Sequence, residues 1–265
     1  MMKRLWSVML LLSMAASLAT AQPKGTASLL GTYTRIQVAV ADLPQSMAWY
    51  ARLGFFPVKG SEKSDSVLTV SDNQTLLTLT TSKVPSPVVV FRNDNLKALY
   101  DTLQALGVRV QADLAGPTYR ELRLTSPAGI YILVRPSTVE PALAILNGEN
   151  IMCGRLTELS INVQQFQQEL NWWTELGLGI TRQGTEPYIF GYVSDGALTL
   201  SFHVNKEIPS LALTYFAKDM EQRIDRIKKS GITPIDEIPT ADNRIANAIF
   251  RSDDGQLIML FEEAK

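Results

Sequence analysis

The chain has one cysteine, Cys153, and one histidine, His203, among 265 residues. A single cysteine excludes an intramolecular disulfide. The two counts together exclude Cys/His zinc sites of the usual composition, and any Ser-His-Asp triad would have to be built on His203. The sequence has no G-x-S-x-G, no G-x-x-x-x-G-K-[ST] and no H-E-x-x-H. An excess of one charge is also missing: 25 Lys and Arg stand against 26 Asp and Glu, for a formal net charge of −1. That balance gives no electrostatic reason to expect nucleic acid or an anionic membrane surface as a partner. No segment beyond the N-terminal region is apolar enough to cross a membrane.

What is present begins with a leader. Lys3 and Arg4 precede the apolar run Leu5 to Leu12, small residues follow, and Ala19-Thr20-Ala21 stands before Gln22. This is the order of a signal peptide, with an A-x-A cleavage site. Residues 1–21 are therefore expected to be removed, leaving a periplasmic or secreted chain with no integral membrane segment. Loss of Lys3 and Arg4 takes the net charge to −3. A retained N-terminal anchor is the alternative. Hydrophobic residues make up 46% of the chain, enough for a substantial core. Cys153, just ahead of a predicted strand, reads as a small buried hydrophobe.

The chain repeats itself. At an offset of 123, Thr34-Arg-Ile36-Gln-Val38-Ala-Val40 falls on Thr157-Glu-Leu159-Ser-Ile161-Asn-Val163, and Trp49-Tyr50-Ala-Arg-Leu53-Gly54 falls on Trp172-Trp173-Thr-Glu-Leu176-Gly177. Ser71-Asp72 matches Ser194-Asp195. After a slight drift, Ser126-Pro-Ala-Gly129 meets Ser252-Asp-Asp-Gly255. Two domains follow, 29–137 and 151–264, with a linker over 138–150 inside "PSTVEPALAILNGEN". Each domain halves again. "SMAWYARLGF" and "LKALYDTLQALGV" are both amphipathic helices closed by a glycine, each after an alternating strand and before several short ones. The pattern is βαβββ, four times.

On these residues, above all "VAVADLPQSMAWYARLGF" and "LTSPAGIYILV", the chain resembles the vicinal oxygen chelate superfamily. That group includes glyoxalase I, extradiol dioxygenases, fosfomycin-resistance enzymes and bleomycin-resistance proteins. The resemblance implies an α+β fold in which four βαβββ modules form two tandem glyoxalase-like domains. Each domain has a cupped mixed sheet, helices on its convex face and a ligand in its concavity. A monomer with two pseudo-symmetric domains is expected.

Strand periodicity assigns the faces. Ile36, Val38 and Val40 share one face of the first strand and belong under the helices; Arg35 and Gln37 point into the cup. In the second domain Leu159, Ile161 and Val163 pack inward, while Glu158, Ser160 and Asn162 face the cup. Thr78 and Thr80 line the first cup, and Thr199, Ser201 and His203 line the second, with His203 near the rim. Over Thr118 to Thr125, Leu122 and Leu124 pack, so Tyr119, Glu121 and Arg123 are expected on the concave side. Trp49, Tyr50, Trp172 and Trp173 sit on the last helix turn before Leu-Gly and read as core packing.

In metal-dependent relatives four strand positions, mostly His and Glu, hold the metal. Matched to those positions, the first domain offers Arg35, Thr78, Val88 and Leu133. The second offers Glu158, Thr199, a residue around Leu211 to Leu213, and Met259. Arginine is a permanent cation, and Val and Leu have no donor. No metal and no cofactor are therefore expected. The reading that follows is a metal-independent protein binding a small polar or anionic ligand, as bleomycin-resistance proteins bind theirs. Arg35 and Arg123 supply forked cationic donors, with Gln37, Thr78 and Tyr119 beside them in the first domain. Glu158, Thr199 and His203 are the corresponding residues of the second. Two alternatives stay open: an enzyme of lyase, isomerase or dioxygenase type built on Glu158 and His203, and a structural or partner-binding protein that keeps only the fold.

Overall fold

The computed structural model describes residues 28–59, 61, 63–138, 150–186, 188–206 and 211–263. The expected leader 1–21 and residues 139–149 of the expected linker lie outside the described residues.

The first domain runs β1 (Thr32–Ala39), α1 (Leu43–Arg52), β2 (Phe56–Pro57), β3 (Lys63–Ser64), β4 (Val67–Ser71), β5 (Leu76–Thr80), β6 (Val88–Asn93), α2 (Leu96–Ala105), β7 (Val110–Ala115), β8 (Thr118–Thr125) and β9 (Tyr131–Pro136). The second runs β10 (Arg155–Asn162), α3 (Phe166–Glu175), β11 (Gly179–Gly184), β12 (Phe190–Ser194), β13 (Thr199–His203), β14 (Ala212–Ala217), α4 (Met220–Lys229), β15 (Asp236–Pro239), β16 (Ile245–Arg251) and β17 (Leu257–Glu262).

Local signals in the sequence explain the helix ends. Asp42 and Asn95 cap α1 and α2, their side chains accepting from Gln45 N and Ala98 N at 2.8 and 3.0 Å. The first helix of each domain stops at Gly54 or Gly177, whose φ of +84° or +95° only glycine adopts without strain. The chain then turns back, with Phe55 N donating to Tyr50 O and Leu178 N to Trp173 O, both at 3.1 Å.

The two sheets have the same strand order. The first runs β2-β4-β5-β1-β6-β9-β8-β7, with β3 paired to β4; the second runs β11-β12-β13-β10-β14-β17-β16-β15. In each, the opening strand is parallel to the last strand of its own module and antiparallel to the opening strand of the next. Even the irregularities repeat. The register skips one residue at Thr34 against β6 and at Thr157 against β14. No described helix is long and apolar enough to cross a membrane.

The helix-facing residues of both domains merge into one buried apolar cluster, including Ile36, Val38, Leu159 and Ile161 as periodicity required. Tyr50 and Trp173 are fully buried in it, with Trp49 and Trp172 against it. Cys153 is buried there too.

The domain contact is crosswise. Leu53 O, at the end of α1, accepts from Asn150 Nδ2 at 3.0 Å and Cys153 Sγ at 3.4 Å; Leu176 O, its equivalent at the end of α3, accepts from Leu29 N at 2.8 Å. Ser46 on α1 donates to Asp254 Oδ2 at 2.6 Å, while Glu169 Oε2, at the same place on α3, accepts from Ala128 N at 2.6 Å. The final hairpin of each domain thus holds the first helix of the other. One contact breaks the symmetry. Asp72, in the β4–β5 turn, is fully buried and accepts from Tyr215 Oη at 2.5 Å, and beside it Gln74 Oε1 accepts from Leu156 N at 2.8 Å. Its counterpart Asp195 accepts from Ala197 N and Leu198 N within its own turn.

Candidate functional site

The strand order sets Glu158 at the middle of the second sheet. Glu158 lies opposite Thr214 on β14, and Thr214 lies beside Met259 on β17. On the other side β13 brings Ser201 and His203 alongside. Alternation puts all of them on the face away from the helices.

Around this row the face is apolar. Ala212, Phe216, Ile238, Ile249, Leu257, Met259 and Phe261 form one buried cluster, and Phe190 and Tyr192 form another, with Tyr188 touching both. Glu158 is 3% exposed and His203 1%. Within the apolar surround runs a short polar chain. Ser201 Oγ donates to Glu158 Oε1 at 3.0 Å and lies 3.0 Å from His203 Nε2. Ser160 Oγ is 3.2 Å from the same carboxyl oxygen and 2.6 Å from Thr214 Oγ1. The rings of Tyr188 and Tyr192 meet the imidazole edge-on at 5.9 and 6.1 Å.

Two atoms of this chain have no hydrogen-bond partner among the described residues: Glu158 Oε2 and His203 Nδ1. Both belong to side chains closed from solvent, where an unmet polar atom costs about 1–3 kcal/mol. Burial also decides their charge. It raises the Glu158 carboxyl to about 7, against the weaker downward pull of the Ser201 and Ser160 hydroxyls and of Arg182. Burial lowers the His203 imidazole to about 4. Burial, with the Glu158 charge adding to it, raises the Tyr192 phenol well above its ordinary value. The site is therefore held close to neutral. Arg182 on β11 stands over the Phe190 ring, 5.3 Å from its centre.

The first cup is built differently. Arg35 occupies the place of Glu158 and faces Val90, which lies beside Leu133. The apolar cluster here is Val88, Val90 and Leu133 alone. Thr78 is buried and shares a 3.0 Å hydrogen bond with Thr69 across the strand pair; Gln37, opposite Val88, is half-buried.

Several expected site residues lie elsewhere. Tyr119 is on the helix side, its ring 5.5 Å from Tyr100 of α2 and packed on the main core. The register between β7 and β8 passes from Asp113–Glu121 to Leu114–Tyr119, so Arg120 is an extra residue. That bulge reverses the alternation on which Tyr119 was assigned. Arg123 is exposed and paired with Glu121, Nε to Oε1 at 2.7 Å, instead of pointing with Arg35 at a common ligand. Thr199 is half-buried and donates to Ser194 Oγ at 3.1 Å, near the strand end and outside the Glu158 chain. His203 is no rim residue; it is buried among aromatic rings. The strand position expected among Leu211 to Leu213 is taken by Thr214. The bulge at Thr34 likewise sets Val90, not Val88, against Arg35. Periodicity alone misses Tyr192, Tyr188 and Arg182, because "TRQGTEPYIFGYVS" carries no clear alternation to orient them.

No family model matches this sequence, and the curated proteins include no match. Solved structures do match. A catechol 2,3-dioxygenase superposes with a TM-score of 0.60 at 10% identity, over 91% of this chain and 90% of its own. The Mn(II)-bound glyoxalase from Novosphingobium aromaticivorans gives 0.63 at 17% identity, over 88% and 82%. The 2,3-dioxygenase LapB from Pseudomonas sp. KL28 gives 0.60 at 14%, over 91% and 94%. The chain has the fold of these dioxygenases and this glyoxalase, as two tandem domains.

The glyoxalase among these structures is Mn(II)-bound, and the resemblance noted from sequence implies a metal on the concave strands. The donor chemistry here does not suit one. The central row of the second cup reads Glu158, Thr214 and Met259, and that of the first reads Arg35, Val90 and Leu133. One carboxyl with a hydroxyl and a thioether falls short of the three nitrogen, oxygen-anion or thiolate ligands of a catalytic site. Among the described residues no group of three or more His, Cys, Asp or Glu could hold a metal ion.

Proposed function

We propose that this protein is an exported, metal-independent binder of a small molecule, acting as a monomer, with the second cup as its site. One observation carries the reading: Glu158 Oε2 and His203 Nδ1, both buried, stand without hydrogen-bond partners among the described residues, on a sheet face otherwise lined by aromatic and aliphatic side chains. Apolar walls with a few converging polar groups are the usual make-up of a small-molecule site. The crosswise contact, in which each domain supplies the other's partner surface, supports monomeric action. Export rests on the leader pattern of residues 1–21.

A thermal-shift screen of the mature protein against divalent metals and against small metabolites tests it. A ligand that binds only the folded state raises the melting temperature. Metabolites that stabilise the wild type but not Glu158→Leu support the reading. A tight stoichiometric metal, lost on Glu158→Gln, would end it. N-terminal sequencing from a Gram-negative host should begin at Gln22; an intact Met1 in the cytosol would remove the export part.

A second reading has its own observation. A carboxyl at about 7, joined through Ser201 to an imidazole, is placed to give or take a proton near neutral pH. Conversion of a bound metabolite, abolished in Glu158→Gln while binding survives, would make the protein an enzyme.

A further inference from the structure

Hydrogen-bond directions in the second cup narrow the ligand's chemistry. Ser201 has one proton, with Glu158 Oε1 at 3.0 Å, Ser160 Oγ at 3.1 Å and Leu159 O at 3.5 Å as acceptors, and we assign it to the nearest of these, Glu158 Oε1. Toward His203 Nε2 the serine oxygen then accepts, so the imidazole carries its hydrogen on Nε2. Nδ1 is left as a bare acceptor without a partner among the described residues. Glu158 Oε1 takes hydroxyl donors from both Ser201 and Ser160. In the neutral acid the proton therefore belongs on Oε2, the other atom without a partner. The cup presents one donor and one acceptor, both uncharged, on an apolar floor.

Resting on the reading of this cup as a binding site, we infer that its ligand is an uncharged, flat, largely apolar molecule bearing an acceptor and a donor side by side, as a carboxamide or lactam does. The carbonyl would accept from Glu158 Oε2–H and the N–H would donate to His203 Nδ1. The groups facing these two atoms fit an uncharged ligand. Arg182 on β11 and Tyr192 on β12 face Glu158, and Tyr188 and Tyr192 face His203. Arg182, the one cation among them, already lies on the Phe190 ring where an organic cation would otherwise sit. Protonation of Glu158 up to about 7 keeps the donor in place at neutral and acid pH.

The probes are benzamide, benzylamine and toluene, followed by ligand-observed NMR titration of the mature chain at about pH 6 and about pH 8.5. Benzamide is expected to bind at the lower pH and to weaken roughly tenfold or more at the higher one, as Glu158 ionises and the donor becomes an acceptor. Glu158→Gln keeps a donor that cannot ionise, so its benzamide affinity should be the same at both pH values. The wild-type pH profile decides the matter even if that variant fails to fold. Binding of benzylamine that strengthens with pH, without benzamide binding, would overturn the amide assignment and leave the binding site standing. Equal, pH-independent binding of toluene and benzamide would do the same, showing that water satisfies both atoms. If none of the three binds at either pH, the amide assignment and the binding-site reading fall together.

Discussion

Residues 35 and 158 occupy the same place in the repeat, yet one is a permanent cation and the other an acid that burial holds neutral up to about 7. Around them the two domains agree closely, in strand order, in the bulge one residue earlier and in the glycine that ends the next helix. The main difference lies on the concave faces. Arg35 stands over three aliphatic side chains, whereas Glu158 stands in a cup lined by aromatic rings and an imidazole. The convex faces are constrained twice, by the core and by the crosswise domain contact, and there the repeat is legible in sequence. Nothing in the fold requires the two concave faces to match, so they are free to take on separate chemistry.

Transplanting one cup's residue into the other is the strongest way to break this comparison. Glu158→Arg places a permanent cation among Phe190, Tyr192 and Met259 and is expected to cost about 3–5 kcal/mol, read as a large fall in the urea midpoint. Retained stability would mean that the second cup is wetter than its lining implies.

The next test uses pH. The folded Glu158 keeps its proton up to about 7, whereas an ordinary glutamate loses it near 4.5. Its contribution to stability is full below about 4.5 and declines as pH rises to about 7. His203 works in the opposite sense. The unfolded imidazole protonates near 6.5 and the folded one near 4, so its contribution is full above about 6.5 and declines as pH falls to about 4. Between about 4.5 and about 6.5 both states hold one proton over the pair, and the two slopes cancel. Wild-type stability, as far as these groups set it, should be nearly flat there. Glu158→Gln should expose a rise with pH, and His203→Asn a fall, each of about 3 kcal/mol across its full range. Denaturant melts at several pH values check this; a flat profile in both variants would mean that neither group is held neutral.

The two β-hairpin turns offer a smaller contrast. Tyr215→Phe removes the donor to buried Asp72 and should cost about 1–3 kcal/mol, while Asp195→Ala, whose bonds stay within one turn, should cost about 1 kcal/mol or less. Equal losses would show that the asymmetric clasp adds nothing. The smallest effect is expected at Arg123→Ala. Its exposed pair with Glu121 should be worth under about 0.5 kcal/mol, and ligand affinity of the second cup should not change.

The sequence carried the fold because its signals there are local and repeated. Gly54 and Gly177, the capping Asp42, and the alternation of Ile36, Val38 and Val40 each act over a few residues. The site was legible only in part. Glu158, Ser160, Ser201 and His203 were on the expected face because their strands alternate cleanly. Tyr119 was lost to one extra residue, which reverses every assignment beyond it. Thr214 was missed because register across strands is a property of pairing, not of one strand's pattern. Burial of His203 and the vacant atoms of the Glu158 chain depend on packing from β11, β12 and the segment before β12, so no linear motif announces them.

The crosswise hold of hairpin on helix has a consequence for the chain as a connected object. Each domain grips the other through Ser46–Asp254, Glu169–Ala128, the caps on Leu53 and Leu176, and one shared core. None of these contacts depends on the peptide bonds between 139 and 149. A protease cut in that stretch should therefore leave a single particle on a sizing column, and the two halves, expressed as separate polypeptides, should find each other and assemble. Covalent continuity here would serve to keep two complementary halves at high local concentration, and the fold itself would be that of a heterodimer joined by a tether.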